Sequence, residues 1–360
     1  MKLRRLTAQN FRNLVPAEIA FHDATNVLVG ANGQGKTNLL EAVYFLATTR
    51  SFRTPRLASV FRFDEPTVFV TGSVTRQEID RTLSVGLEGA ESRRRALMIN
   101  GQRVTLSTYV QALTVFAYSA SRLEILRGAP EERRRFLDRG IASVDPAYLD
   151  HLTRYTRVLK QRNALLHAIA AGEASPKALE PWDDEFTTTA EVLTRSRAAY
   201  TKRLAEVFAT IVTRHAYHVN DVQIAYQPSV PDLPKTRKHE IRARVSLAGP
   251  QRDTVEFLTA GRPAAEVLSG GEQKMVVLFL KFAKIELFRR RHDEAPLFLL
   301  DDVDAELDLD VLQQLLTKLP PSTQLFATSA KERFLQALEV GPHRRLTIDS
   351  GAVTATRDFG

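Results

Sequence analysis

Apolar and polar positions alternate with a period of two over the first part of the chain and then change period. The segments "KLRRLTAQNF" (2–11) and "EIAFH" (18–22) predict an antiparallel pair of strands. The apolar run "TNVLVG" (25–30) predicts a buried strand that enters a glycine-rich turn. A helix is predicted directly after it, because "KTNLLEAVYFLATT" (36–49) places Leu39, Leu40, Val43, Tyr44 and Leu46 at helical spacing. From Phe61 to Leu106 the pattern is short strands, and Asn100-Gly101 within "INGQRV" marks a hairpin.

Near Glu131 the character changes. The segment "PEERRRFLDRGI" (130–141) is charged and helical, and Asp145-Pro146 then opens a longer helix as a cap followed by a first-turn proline. Its apolar stripe of Tyr148, Leu152, Tyr155, Leu159, Leu166 and Ile169 has a gap at Arg162. A second stripe, Phe186, Ala190, Leu193, Tyr200, Leu204, Phe208 and Ile211, has one at Arg197. With Pro176 and Pro181 between them, the two predict a short antiparallel helical hairpin. After the proline-rich connector "QPSVPDLPKTRKHE" (227–240), strands are expected to resume at "EIRARVSL" (240–247). A helix from Gly271 to about Arg290, a buried strand "LFLLDD" (297–302), a helix "LDVLQQLLTKL" (309–319) and a strand "QLFATS" (324–329) then follow.

Composition narrows the classes. A chain of 360 residues has room for two or more domains, and 44% hydrophobic with 26% charged residues is the balance of a soluble globular protein. No run of about 20 uncharged apolar residues occurs, and "MKLRRLTAQNFRNL" lacks the apolar core of a signal peptide, so a cytoplasmic protein without a membrane partner is expected. The absence of cysteine excludes disulfides, thiolate metal sites and cysteine nucleophiles. A net charge of +8 favours a polyanionic partner such as nucleic acid.

The chemistry begins at "GANGQGKT", Gly30 to Thr37, which fits G-x-x-x-x-G-K-[ST] between a strand and a helix. Gly30, Gly33 and Gly35 let the backbone curl around phosphate oxygens, so Gly30, Ala31, Asn32, Gly33, Gln34, Gly35, Lys36, Thr37 and Asn38 form a candidate ATP site. Lys36 reaches the β and γ phosphates, and Thr37 is a ligand for Mg²⁺. A second strand must supply an acidic residue, and "PLFLLDD" does. Asp301 is expected in the Mg²⁺ shell. Asp302 is expected to orient or deprotonate an attacking water, the alternative being a cap on the next turn. Between these motifs stands "LSGGEQK" (268–274), where Ser269 is a good N-cap. Gly270 and Gly271 cost a helix stability, but they bare backbone N–H groups to an anion.

The order of P-loop, "LSGGEQK" and "LFLLDD" resembles the ABC-type ATPases, whose signature motif meets a nucleotide held by a second subunit. The resemblance implies that Ser269, Gly270 and Gly271 complete a partner's site in trans, and that "DAELD" (304–308) runs between the two sites. "NFRNL" followed by "GANGQGKTNLLEAVYFL" resembles the structural-maintenance and repair branch. "GAPEERRRFLDRGI", "YTRVLKQRNALL" and "AGPQRD" resemble, within it, the RecF family of bacterial recombination mediators. That likeness implies an α/β ABC-type P-loop head, a mixed sheet with flanking helices, in two halves, 1–130 and 245–360, with a helical arm at 131–244. It further implies an ATP-dependent homodimer that clamps double-stranded or gapped DNA. RecR and RecO would be partners, with RecA loaded downstream.

The sequence departs from the family at several places. Gln251 stands where histidine is usual and Thr254 where aspartate is common, Asp302 replaces glutamate, and Ala305 replaces serine. Thr328 or Ser329 occupies the switch position, often histidine. With no evident strong base, slow, weakly DNA-stimulated hydrolysis is expected. The basic runs Arg93–Arg95, Arg133–Arg135, Lys235 with Arg237 and Lys238, and Arg289–Arg291 are candidate phosphate contacts, each otherwise a solvated face. Three rivals share features: a transporter ATPase subunit, a chromosome scaffold of the maintenance class and a P-loop kinase. The inserted arm disfavours the first, its shortness the second, and "LSGGEQK" the third.

Overall fold

Leu3 and Leu6 both face the interior although they stand three residues apart. The reason is a bulge, since the register of the opening strand against residues 67–76 shifts between Leu3 and Arg5. The computed structural model describes residues 1–89, 95–119, 123–214, 219, 221–302, 313, 316, 319–330 and 341–360. The chain first forms β1 (Lys2–Gln9), β2 (Glu18–Ala20), β3 (Thr25–Val29), α1 (Lys36–Thr48), β4 (Thr67–Arg76) and β5 (Ile79–Glu88). Next come β6 (Arg95–Ile99), β7 (Gln102–Arg103), α2 (Leu106–Ala112) and β8 (Val115–Tyr118). The middle holds α3 (Glu124–Arg127), α4 (Pro130–Val144), α5 (Tyr148–Ala170), α6 (Glu180–Arg214), β9 (Val222–Gln227) and α7 (Leu233–Ala243). Then follow β10 (Thr254–Thr259), β11 (Arg262–Pro263), α8 (Ala264–Val267) and α9 (Gly270–His292), and last β12 (Leu297–Leu300), β13 (Gln324–Ser329), β14 (His343–Asp349) and β15 (Ala352–Phe359).

Two compact units divide the chain, one of residues 1–122 with 277–360 and one of 123–276. The first holds two six-stranded sheets, an antiparallel one ordered β2-β1-β4-β5-β6-β7 and a mixed one ordered β15-β14-β3-β13-β12-β8. In the second sheet, β14, β3, β13, β12 and β8 are parallel and only β15 runs against its neighbour. Helix α1 packs on strands of both sheets, which is why Leu39 through Ala47 are all buried. One apolar core joins it to both sheets. The expected pair "KLRRLTAQNF" and "EIAFH" forms as β1 and β2, with Leu6 opposite Ile19. The hairpin at Asn100-Gly101 closes β6 on β7, and its two turn residues take φ of 51° and 77°, the positive pair a type I′ turn needs.

In the second unit α5 and α6 form the expected antiparallel hairpin, since Arg162 meets Asp183 while Tyr155 meets Phe186 further along. A small sheet, β11-β10-β9, packs on α4 and α6. Its place among these helices puts the unit's edges at 122/123 and 276/277 rather than at the sequence-read 130/131 and 244/245. The strand expected at "EIRARVSL" does not form: Glu240 to Ala243 are the last turn of α7, and 244–247 are turn and irregular chain. Pro234 in its first turn starts α7, which Arg244 ends with φ of 60°, and Glu240 on its inner face meets Arg162. The expected helix at 309–319 and the segment 304–308 lie outside the described residues, apart from residues 313, 316 and 319. Among the described residues no helix is long and apolar enough to cross a membrane.

Candidate nucleotide-binding site

Strand β3 delivers the turn at 30–35 to the carboxyl ends of the parallel strands, where open α/β sheets bind ligands. Gly30 leaves β3 with φ of 153°, and a Cβ there would lie 2.2 Å from the Ile348 carbonyl oxygen, so the loop passes β14 only as glycine. Gly35 takes φ of 112° as the N-cap of α1. No side chain caps this helix and no acid occupies its first turn, so the positive end of its dipole faces the loop unopposed. The Lys36 side chain is buried beneath the loop, and its ammonium donates to the carbonyls of Gly30 at 2.7 Å and Ala31 at 2.9 Å. Ala31, Asn32 and Gly33 are exposed at the tip. Gln34 anchors the loop from the far side, its Oε1 accepting the Ser350 N–H at 2.6 Å and its carbonyl the Gly351 N–H at 2.8 Å. Asn38 is engaged with Asn13 at 2.6 Å and Arg53 at 2.7 Å.

Strand β12 lies between β13 and β8 and is followed directly by Asp301, whose Oδ1 accepts the Thr37 hydroxyl at 2.9 Å and the Thr328 hydroxyl at 2.8 Å. Burial raises the pKa of Asp301 and nearby Asp302 adds to that, while the two hydroxyl donors oppose it. Two hard oxygens from separate elements, beside a helix N-terminus, fit Mg²⁺, which takes its remaining ligands from phosphate and water. Among the described residues no cluster of three His, Cys, Asp or Glu side chains occurs, and such a shared site requires none. Asp302 is exposed, with φ of 57°, and its N–H donates to Thr328 Oγ1 at 2.8 Å. Thr328 thus fixes both aspartates. Thr328, one of the two residues read at the switch position, touches the acidic strand end through its hydroxyl.

Ser269 caps α9 in a reciprocal box: its N–H donates to Glu272 Oε2 at 2.7 Å and its hydroxyl accepts from the Glu272 N–H at 3.3 Å. A Cβ added at Gly270 or Gly271 would meet nothing within 4 Å. Among the described residues, neither conformation nor packing therefore asks for glycine at either position. Sequence reasoning missed the residue beneath this turn, Gln273. Its amide donates to the carbonyls of Ala265 at 3.0 Å and Leu268 at 2.7 Å, and its Oε1 accepts Arg127 Nε at 2.6 Å. Gln273→Leu should leave these carbonyls unpaired and lower unfolding stability by about 1–3 kcal/mol in urea titration.

The chain matches the family model described as "RecF/RecN/SMC N terminal domain" over residues 2–344. It is 32% identical to the DNA replication and repair protein RecF of Lactobacillus acidophilus, across 99% of this chain and all of the relative. The chain belongs to the RecF family. The RecF of Symbiobacterium thermophilum is 34% identical over 98% of both chains. A solved structure of the recombination mediator protein RecF with ATP, of the RecFOR pathway, superposes with a TM-score of 0.88 at 24% identity, covering all of this chain and 98% of that one. An Smc head domain from Pyrococcus furiosus, bound to the C-terminal domain of ScpA, gives 0.52 at 15% identity, with 99% and 96% coverage. The fold is thus the α/β ABC-type ATPase head with an inserted helical arm.

Within this family fold the remaining sequence candidates separate. Arg12 of "NFRNL" holds a bidentate pair with buried Glu41 of α1, both contacts at 2.9 Å, and Ser51 donates to the same carboxylate. Of the arginine run at 93–95 only Arg95 is described, and it donates to Thr49. Arg133 donates to the Gly128 carbonyl, Arg134 to that of Asp253, and Arg135 pairs with Glu131 and Glu132. Arg289 and Arg290 both pair with Glu286. Gln251, at the position where histidine is usual, donates to the Ala248 carbonyl at 2.9 Å.

Proposed function

We propose that this chain is an ATP-dependent recombination mediator that binds DNA as a nucleotide-clamped dimer. One observation carries the reading: Gly270 and Gly271 open a helix where nothing among the described residues requires glycine. Bare backbone at a helix N-terminus suits close approach by a phosphate that another subunit presents. Lys36 and the loop 30–35 would then hold one ATP, with Thr37 and Asp301 as Mg²⁺ ligands, and Ser269 would face the nucleotide of the second chain. The membership in the RecF family supports duplex or gapped DNA as the polyanion, RecR and RecO as partners, and loading of RecA as the outcome. Bound Mg²⁺ supplies charge neutralisation at the phosphates.

Asp302 is the residue proposed to orient or deprotonate the water, and its short side chain, on a backbone that Thr328 holds through the Asp302 N–H, suits slow hydrolysis that serves as a release step. Asp302→Asn should retain ATP and Mg²⁺ binding and slow hydrolysis by about 100-fold, leaving dimers trapped on DNA. Asp301→Asn should instead weaken Mg²⁺ binding, seen by titration calorimetry. Wild-type hydrolysis by both variants would refute the assignment. Stimulation of hydrolysis by duplex DNA is the test of the function itself.

A further inference from the structure

Among the basic runs that the sequence offers as DNA contacts, most are held by internal partners. Arg133, Arg134 and Arg135 are tied to carbonyls or glutamates, and Arg289 and Arg290 share Glu286. The run on α7 divides in two. Arg237 turns inward, donating to Asp183 and to the Pro176 carbonyl. Lys235, Lys238, His239 and Arg242 stand at i, i+3, i+4 and i+7 and are all exposed, forming one stripe along an 11-residue helix. The only acid of that helix, Glu240, is fully buried against Arg162, and Asp232 just before it meets Lys235 alone, in an exposed pair worth little. No acid among the described residues pairs with Lys238, His239 or Arg242.

A stripe of four basic side chains with no apolar residue in it is unlike the core of a protein interface, which is aromatic-rich and depleted in lysine. It suits hydrated phosphates, where each cation releases a counterion. We infer that the outer face of α7 is a contact surface for the phosphate backbone of duplex DNA. The inference rests on the DNA-binding reading above and adds which surface does it. Because the stripe carries no hydrogen-bonding pattern fixed by neighbours, it reads charge spacing and not bases.

The test uses the full chain with ATP and duplexes of unrelated sequence, comparing Lys238→Gln with Arg242→Gln combined against Arg289→Gln with Arg290→Gln combined. Both pairs remove two charges and neither touches the nucleotide site. The α7 pair should reduce the slope of log K against log salt by about two, so that between 50 and 200 mM salt it loses about tenfold less affinity than the wild type, while the α9 pair leaves the slope unchanged. Hydrolysis without DNA should be unchanged in both. An unchanged slope in the α7 pair, or equal reductions in both pairs, would overturn the assignment. An unchanged slope together with lost binding of a polyglutamate peptide would give the face to an acidic protein instead. A wild-type chain that binds no duplex would remove the DNA reading itself, and this surface with it.

Discussion

Arg197→Leu should destabilise the second unit by about 3–5 kcal/mol, the cost of removing one partner from a buried ion cluster. The guanidinium meets Asp138 at 2.9 and 3.0 Å, Asp253 at 2.8 Å and the Pro250 carbonyl at 2.6 Å, and only 3% of the residue is exposed. Burial disfavours its charge, but Asp138, Tyr148 and Asp253 outweigh that and raise its pKa above the usual value. Leucine fills much of the space and answers none of the carboxylates. Asp253 would keep Tyr226 at 2.6 Å and the Ser229 N–H at 2.8 Å, so its charge would be solvated only in part. Urea unfolding measures the loss, and adding Asp253→Asn to Arg197→Leu should return part of it. A change under about 1 kcal/mol would mean that water reaches this cluster.

Those arginines mark where the sequence was legible and where it was not. The periodicity of Tyr148 to Ile169 and of Phe186 to Ile211 is enough to place two helices, but in the sequence Arg162 and Arg197 stand as gaps in an apolar stripe. They are buried, and each completes the stripe with charge. Arg162 meets Asp183 at 2.9 Å, Glu240 at 2.6 Å and Ser246 at 2.7 Å, partners 21, 78 and 84 residues away that no local pattern announces. The same contact explains the missed helix α7, whose only inward carboxylate exists to meet Arg162. The P-loop was legible because its chemistry is local: a strand, three glycines and a lysine within a short stretch. Thr328 and Gln273 were less so, since each acts on a motif through a hydroxyl or amide whose target lies elsewhere in the chain or one helix turn away. A buried glutamine following a signature turn is the one signal that could have been read.

Ser269→Arg carries the second large effect, an all-or-none loss. Ser269 is exposed and its capping box with Glu272 is local, so losing the cap should cost about 1 kcal/mol and leave the chain folded. The P-loop is untouched, so binding of ATP by the isolated chain should persist at wild-type affinity. A long cation at the opening of α9 would nonetheless obstruct a phosphate approaching the two glycines and would add positive charge where the helix dipole is already positive. Hydrolysis should fall to background together with dimerisation, because both need the second chain's nucleotide to be seated there.

Sedimentation velocity of the wild type and of Ser269→Arg, each with ATP and with ADP, tests the central claim that the nucleotide is held between two copies. The wild type should sediment as a dimer with ATP and as a monomer with ADP, and Ser269→Arg as a monomer with both although it binds ATP. A Ser269→Arg protein that dimerises with ATP, or a wild type whose state ignores the nucleotide, would contradict it.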